Sequence, residues 1–220
     1  MIQAAIFDMD GLLIDSEPLW VEAEMRVFGT LGVELTPEMC AETKGMRQNE
    51  VVLHWLKRRP WKGPSPDRVE KDVVAEVARL FRLKGKALPC AVQAVETAKT
   101  RCKTVGLASS SPMFLIEEAL ASLGIRDRFD VIHSAEREAF GKPHPAVYLS
   151  TAAKLGVDPT DCLAFEDSVS GVLAAKAARI ACWAVPAAAE RKDKRFGIAD
   201  GILESLERAD GAFWDRRAKP

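Results

Sequence analysis

The chain has 220 residues, 48% of them apolar and 29% charged, which supports a globular fold with one substantial core and room for a modest insertion. Its 31 Lys and Arg stand against 32 Asp and Glu, and the net charge of -1 excludes a general attraction to nucleic acid or anionic membranes. The five cysteines (Cys40, Cys90, Cys102, Cys162 and Cys182) are scattered without a C-x-x-C pair, against both a disulfide framework and a thiolate zinc site.

Residues 4–7 form a short apolar run that ends in acids and Gly11, the pattern of a buried parallel strand. No basic residue precedes that run, and Asp8 and Asp10 interrupt it. A signal peptide and a membrane span are therefore not expected, and a cytoplasmic location is. From about 17 to 88 the sequence carries Trp20, Trp55 and Trp61 and reads as several helices with one break at Pro60-Trp61-Lys62-Gly63-Pro64. An all-helical cap at 16–88, inserted into a core of 1–15 and 89–220, is the simplest account. Further strands are expected at 104–108, 129–132, 162–165 and 180–185. Between them, 112–123 places Phe114, Ile116, Leu120 and Leu123 at helical spacing before Gly124. Helices are likewise expected at 146–155, before Gly156, and at 168–179, opening on Ser168. The tail from about 204 has a weak helical pattern and is expected to fray over 216–220. Strand and helix in alternation predict an α/β, Rossmann-like parallel sheet.

Polar clusters sit where four of these elements end: Asp8-Met9-Asp10-Gly11, Ser109-Ser110, Lys142-Pro143 and Glu166-Asp167-Ser168. In parallel α/β sheets ligands bind at the carboxyl ends of strands, so the four clusters can converge on one crevice. Two unit charges about 4 Å apart repel by roughly 4 kcal/mol at an effective dielectric near 20, and four carboxylates beside one lysine call for a cation. A hard divalent ion such as Mg²⁺ suits oxygen ligands, with Asp8 and Asp167 as direct ligands and Glu166 beside them or one layer out. Asp8 can then serve as nucleophile toward a phosphate monoester. Asp10, two positions along on the same side, can act as general acid and then base. Ser109, the Ser110 and Met9 amides and Lys142 can hold the phosphate oxygens, and Gly11 permits close backbone approach.

These motifs resemble the haloacid dehalogenase superfamily, in its phosphatase branch with a helical cap. The first reads Asp8-Met9-Asp10-Gly11-Leu12-Leu13-Ile14-Asp15-Ser16-Glu17, the second is Ser109, the third Gly141-Lys142-Pro143-His144-Pro145, and the fourth Glu166-Asp167-Ser168 with Gly171 and Ala174-Ala175. The resemblance spans about residues 2 to 186 and implies an aspartyl-phosphate on Asp8. It also implies Mg²⁺ held by the Asp8 carboxylate, the Asp10 carbonyl and Asp167. Asp10 argues against the dehalogenases and phosphonatases, which lack an acid there. The cap segments Glu17-Pro18-Leu19-Trp20 and Pro60-Trp61-Lys62-Gly63-Pro64 look like those of 2-deoxyglucose-6-phosphate and hexitol phosphatases. Mutases of the β-phosphoglucomutase type usually carry His where this chain has Trp20.

The expected substrate is therefore a small sugar or sugar-alcohol phosphate, and the expected enzyme a monomer with no nucleic-acid or membrane partner. A phosphomutase and a non-catalytic phospho-ligand sensor are the alternatives. In the cap, Lys44 and Arg47 of the Lys44-Gly45-Met46-Arg47 segment can hold a hydroxyl or the phosphate. Trp20 can stack on a sugar face or pack at the hinge, and Met113 can line the pocket or fill the core.

Overall fold

The computed structural model describes residues 2–218. Six strands, β1 (Ala4–Phe7), β2 (Thr104–Ser109), β3 (Val131–Ser134), β4 (Cys162–Glu166), β5 (Ala181–Ala184) and β6 (Gly201–Ile202), form one sheet in the order β3-β2-β1-β4-β5-β6. Every adjacent pair is parallel. All four residues of β1 are buried, as befits a central strand covered on both faces. Ala5 and Phe7 point into one apolar cluster, while Ala4 and Ile6 point into the other. Phe7 lies opposite Phe165 in register and stacks on it at 5.0 Å. The chain runs outward from β1 to β2 and β3, then returns to β4 on the other side of β1. That reversal opens a crevice at the carboxyl ends of β1, β2 and β4.

Nine helices are described: α1 (Glu17–Thr30), α2 (Pro37–Ala41), α3 (Gln48–Arg58), α4 (Pro66–Lys84), α5 (Ala91–Arg101), α6 (Met113–Ser122), α7 (Ala146–Leu155), α8 (Val169–Ala177) and α9 (Gly211–Ala218). The first four make the helical cap between β1 and the rest of the sheet, with Phe28, Val52, Trp55, Val73, Val77 and Leu80 buried among them. Their starts are written locally: Thr36 accepts from the Met39 amide, Ser65 accepts from the Arg68 amide, and a proline follows each. The break at 60–64 lies between α3 and α4 as expected. The cap also breaks at 31–36 and 42–47, where Gly32 and Gly45 take left-handed φ of +75° and +79°.

Other departures have local causes. β3 starts two residues later than the apolar run at 129–132. Phe129 packs edge-on against Phe7, and Asp130 turns back so that its carboxylate accepts from the Val105 amide at 2.8 Å. Helix α8 is shorter than 168–179: Ser168 caps it, accepting from the Gly171 amide, and Arg179 is left-handed. The two-residue β6 and helix α5 are not expected from the sequence pattern. The tail expected to fray is helical to Ala218 and anchored by Phe213 and Trp214, which pack on Phe165, while residues 219–220 lie outside the described residues.

Candidate active site

Asp8 follows the last residue of β1 and is 6% exposed; its amide donates to the Phe165 carbonyl, so sheet pairing still holds the backbone there. Lys142, from the loop before α7, is 2% exposed. Its Nζ donates at 2.7 Å to Asp8 Oδ1, at 2.7 Å to Glu166 Oε1 and at 3.0 Å to the Ala108 carbonyl. A lysine has three donors, and all three are used. Glu166, at the end of β4, is fully buried; its Oε1 also accepts from Tyr148 at 2.5 Å and its Oε2 from Ser168 at 3.3 Å. Tyr148 is the chain's single tyrosine, and sequence reasoning missed it. The available signal was one phenol on a helix face that also buries Val147, Thr151 and Ala152.

Asp10 is held from both sides of the cleft. Ser111 donates to its Oδ2 at 2.6 Å and Ser109 at 3.5 Å, while Trp20 of α1 donates from Nε1 to Oδ1 at 2.9 Å. Trp20 thus couples the cap to the acid pair. Ser111 was also missed, because a third serine in a row reads as loop. Ser110 reaches the other way, donating to the Gly45 carbonyl at 2.9 Å, and Ser170 donates to the Lys44 carbonyl at 3.2 Å. A Cβ on Gly45 would lie 2.4 Å from Ser170 Oγ, so only glycine lets the cap loop seat this closely on the core. Gly11 is constrained in the same manner: it has φ +67°, and a Cβ there would meet Asp167 Oδ2 at 2.2 Å.

Asp8, Glu166 and Asp167 each offer a carboxylate oxygen within 4.8 Å of the others, all buried. Burial pushes the Asp8 carboxyl well up; Lys142 pulls it down, and Glu166, Asp167 and Asp10 add to the rise. Asp167 is pushed up to about 8 by burial, against the pull of Lys44. Lys44 Nζ lies 2.8 Å from Asp167 Oδ2 and pairs with it. Three buried carboxylates gathered this closely fit a hard divalent cation. Glu166 has both oxygens engaged by protein donors and fits a supporting place behind Asp8 and Asp167.

Core and cap enclose a cavity of about 60 Å³. Asp8, Asp10, Ser109, Ser110, Lys142 and Asp167 line it from the core, and Trp20, Glu24, Lys44 and Gln48 line it from the cap. Lys44 stands at the boundary, bridging Asp167 and Glu190, each at 2.8 Å. Two expected pocket residues sit elsewhere. Arg47 turns its guanidinium to the core backbone, donating to the carbonyls of Ala135 (3.3 Å), Glu138 (2.9 Å) and Ala139 (3.3 Å), and it pairs with Glu50 at 2.6 Å. Glu50 in turn accepts from the Gly141 amide at 3.3 Å, so Arg47 acts as a latch beside the Lys142 loop. Met113 opens α6 with its amide donating to Glu136, and its side chain packs against the core.

The family model of the haloacid dehalogenase-like hydrolases matches residues 2–179. The chain belongs to that family. Hexitol phosphatase B of Escherichia coli K12 is 48% identical over 206 residues, covering 93% of each chain. A phosphorylated carbohydrates phosphatase of Thermotoga maritima is 35% identical over 179 residues, covering 81% of this chain and 82% of that one. Among solved structures, CbbY from Rhodobacter sphaeroides in complex with phosphate superposes with a TM-score of 0.84 at 26% identity, covering 94% and 95% of the two chains. The β-phosphoglucomutase from Clostridium difficile reaches 0.88 at 23% identity over 99% and 97%, a likeness of fold alone. This haloacid dehalogenase-like hydrolase has a Rossmann-like core and a helical cap, and no described helix is long and apolar enough to cross a membrane.

Proposed function

We propose that this hydrolase is a Mg²⁺-dependent phosphatase of small sugar or sugar-alcohol phosphates, working through an aspartyl-phosphate on Asp8. One observation carries the reading: two aspartates two residues apart face the same enclosed cavity, one set against Lys142 and the other against Ser111 and Trp20. The similarity to a hexitol phosphatase supports the substrate class.

In this reading Asp8 attacks phosphorus while the bond from phosphorus to the leaving alkoxide breaks. Asp10 gives its proton to that alkoxide. Asp10 then takes a proton from water as the water attacks the phosphoryl group, and the bond to Asp8 breaks, returning the carboxylate and free phosphate. Lys142 holds Asp8 in line and offsets charge that builds on the phosphoryl oxygens, with Ser109 and the Ser110 amide beside it. Mg²⁺, held by Asp8 and Asp167 with the Asp10 carbonyl and backed by Glu166, would supply charge neutralisation for the phosphate.

The cap, residues 16–88, is the substrate-enclosing part in this reading. Its two links to the core pair with each other: Asp15 donates to the Lys86 carbonyl at 2.9 Å and Leu88 to the Leu13 carbonyl at 3.0 Å. A paired two-strand link suits a hinge. In this reading the cap swings at that link to admit substrate and closes over it. We further take the enzyme to act as a cytoplasmic monomer, in keeping with five free cysteines.

The test is phosphate release from sugar, polyol, nucleotide and phospho-acid monoesters, with Mg²⁺ and with chelator, beside Asp8→Asn. Metal-dependent release that peaks on hexose or hexitol phosphates and drops more than about a thousandfold in the variant is expected. Activity retained in Asp8→Asn would overturn the covalent route.

A further inference from the structure

Helix α1 turns Leu19, Ala23 and Phe28 inward, and on that same buried face it carries Glu24, only 6% exposed. An apolar residue would be the default there, because a buried carboxylate without a cation loses its hydration. Among the described residues no cation pairs with it: the Cys40 thiol and the Gln48 amide stand within hydrogen-bonding reach, and the Glu17 carboxylate nearby adds like charge. Gln48 opens α3, is itself 6% exposed, and its Nε2 completes no hydrogen bond although it is buried. Both side chains line the cavity that also holds Asp8 and Asp10. They do so from the cap, whereas the acid pair and Lys142 lie on the core.

We propose that Glu24 and Gln48 form a recognition subsite for the neutral hydroxyl groups of the substrate's polyol tail, with Glu24 the specificity-determining residue. This deepens the phosphatase reading and rests on it. A carboxylate accepts from two adjacent hydroxyls, and a free amide donates to a hydroxyl oxygen, so together they match the donor and acceptor character of a carbohydrate chain. A hydrocarbon tail would offer neither group a further partner. A tail ending in a carboxylate or a second phosphate would meet like charge. The subsite therefore selects neutral polyol or sugar monophosphates over phosphorylated acids and bisphosphates. Burial also pushes the Glu24 carboxyl up to about 7, which fits a group whose surroundings lack a compensating charge.

The experiment compares kcat/KM for a hexitol 6-phosphate, for ethyl phosphate, which has no tail hydroxyls, and for a hexonic acid 6-phosphate, all at pH 8.5 with Mg²⁺. In Glu24→Gln the hexitol-to-ethyl ratio should fall at least tenfold, and the hexonate-to-hexitol ratio should rise. Gln48→Leu should lower the hexitol-to-ethyl ratio as well, so a folding defect in one variant does not decide the matter. Ratios within twofold of the parent in both variants would overturn the subsite. Should the parent release phosphate from none of the three, the phosphatase reading fails by itself. Calorimetric titration of the hexitol phosphate into Asp8→Asn and Asp8→Asn/Glu24→Gln proteins then still decides: tenfold weaker binding supports the subsite, and equal binding sinks it.

Discussion

Two regions of this hydrolase bury acids to a similar depth and treat them in opposite ways. At the carboxyl ends of β1 and β4, Asp8 and Glu166 share one ammonium from Lys142, and Glu166 also takes Tyr148 and Ser168. In the cap wall, Glu24 has a thiol and an amide for neighbours, and Gln48 keeps an unused donor. The contrast separates two uses of a buried polar group. A closed network fixes geometry and resists change, while an open one holds its free energy until a ligand completes it.

The largest effect should come from Asp10, which Ser111 and Trp20 hold beside that closed network. Asp10→Asn should slow turnover of poor leaving groups by about 10²–10⁴-fold, and less so for an activated aryl phosphate. Equal losses on both leaving groups would show that Asp10 is not the proton donor. Next is Lys142→Met, which strands two buried carboxylates. Unfolding in urea without added divalent cation should reveal a loss of about 3–5 kcal/mol. A loss under about 1 kcal/mol would mean that the network is less closed than its distances imply.

The open region has a pH signature instead. Glu24 sits at about 7 in the fold against an ordinary value of 4.5, so the folded state holds its proton to higher pH than the unfolded chain does. Stability should therefore fall as pH rises from about 4.5 through 7, by about 3 kcal/mol in all from this one group. Glu24→Gln should remove that slope, so the variant should gain on the parent between pH 5 and pH 8.5 in thermal melts. A parallel pair of curves would place a compensating cation at Glu24 after all. The smallest effect is expected for Arg47→Ala, which frees three core carbonyls: about 1–2 kcal/mol, with faster amide exchange at Gly45 and Gly141.

The face that carries the candidate site was legible in the sequence because its parts are local. Asp8, Asp10, Ser109 and Lys142 each follow a short apolar run or stand before a helix, and any parallel sheet brings strand ends together. Glu166 and Asp167 were legible for the same reason. What supports them was less so. Tyr148 reaches Glu166 from six residues beyond Lys142, and Trp20 reaches Asp10 across the cleft, contacts that no periodicity encodes. Arg47 shows the reverse case: a basic residue beside the site by sequence, yet spent on three backbone carbonyls.

By itself the sequence determined the α/β alternation, the helical insertion and the order of the acid, serine and lysine positions along the chain. These follow from apolar period, capping residues and charge, all of which act within a few residues. Only the tertiary structure decided which side of the cleft each cap side chain serves: Trp20 on Asp10, Lys44 on Asp167, Arg47 away from the cavity and Glu24 into it. Those assignments depend on how one helical layer seats on the sheet, across separations as different as 10 residues for Trp20 and Asp10 and 91 for Arg47 and Glu138. The physical reason is that a charged side chain a few ångströms long takes whichever partner the packing of two layers leaves within reach.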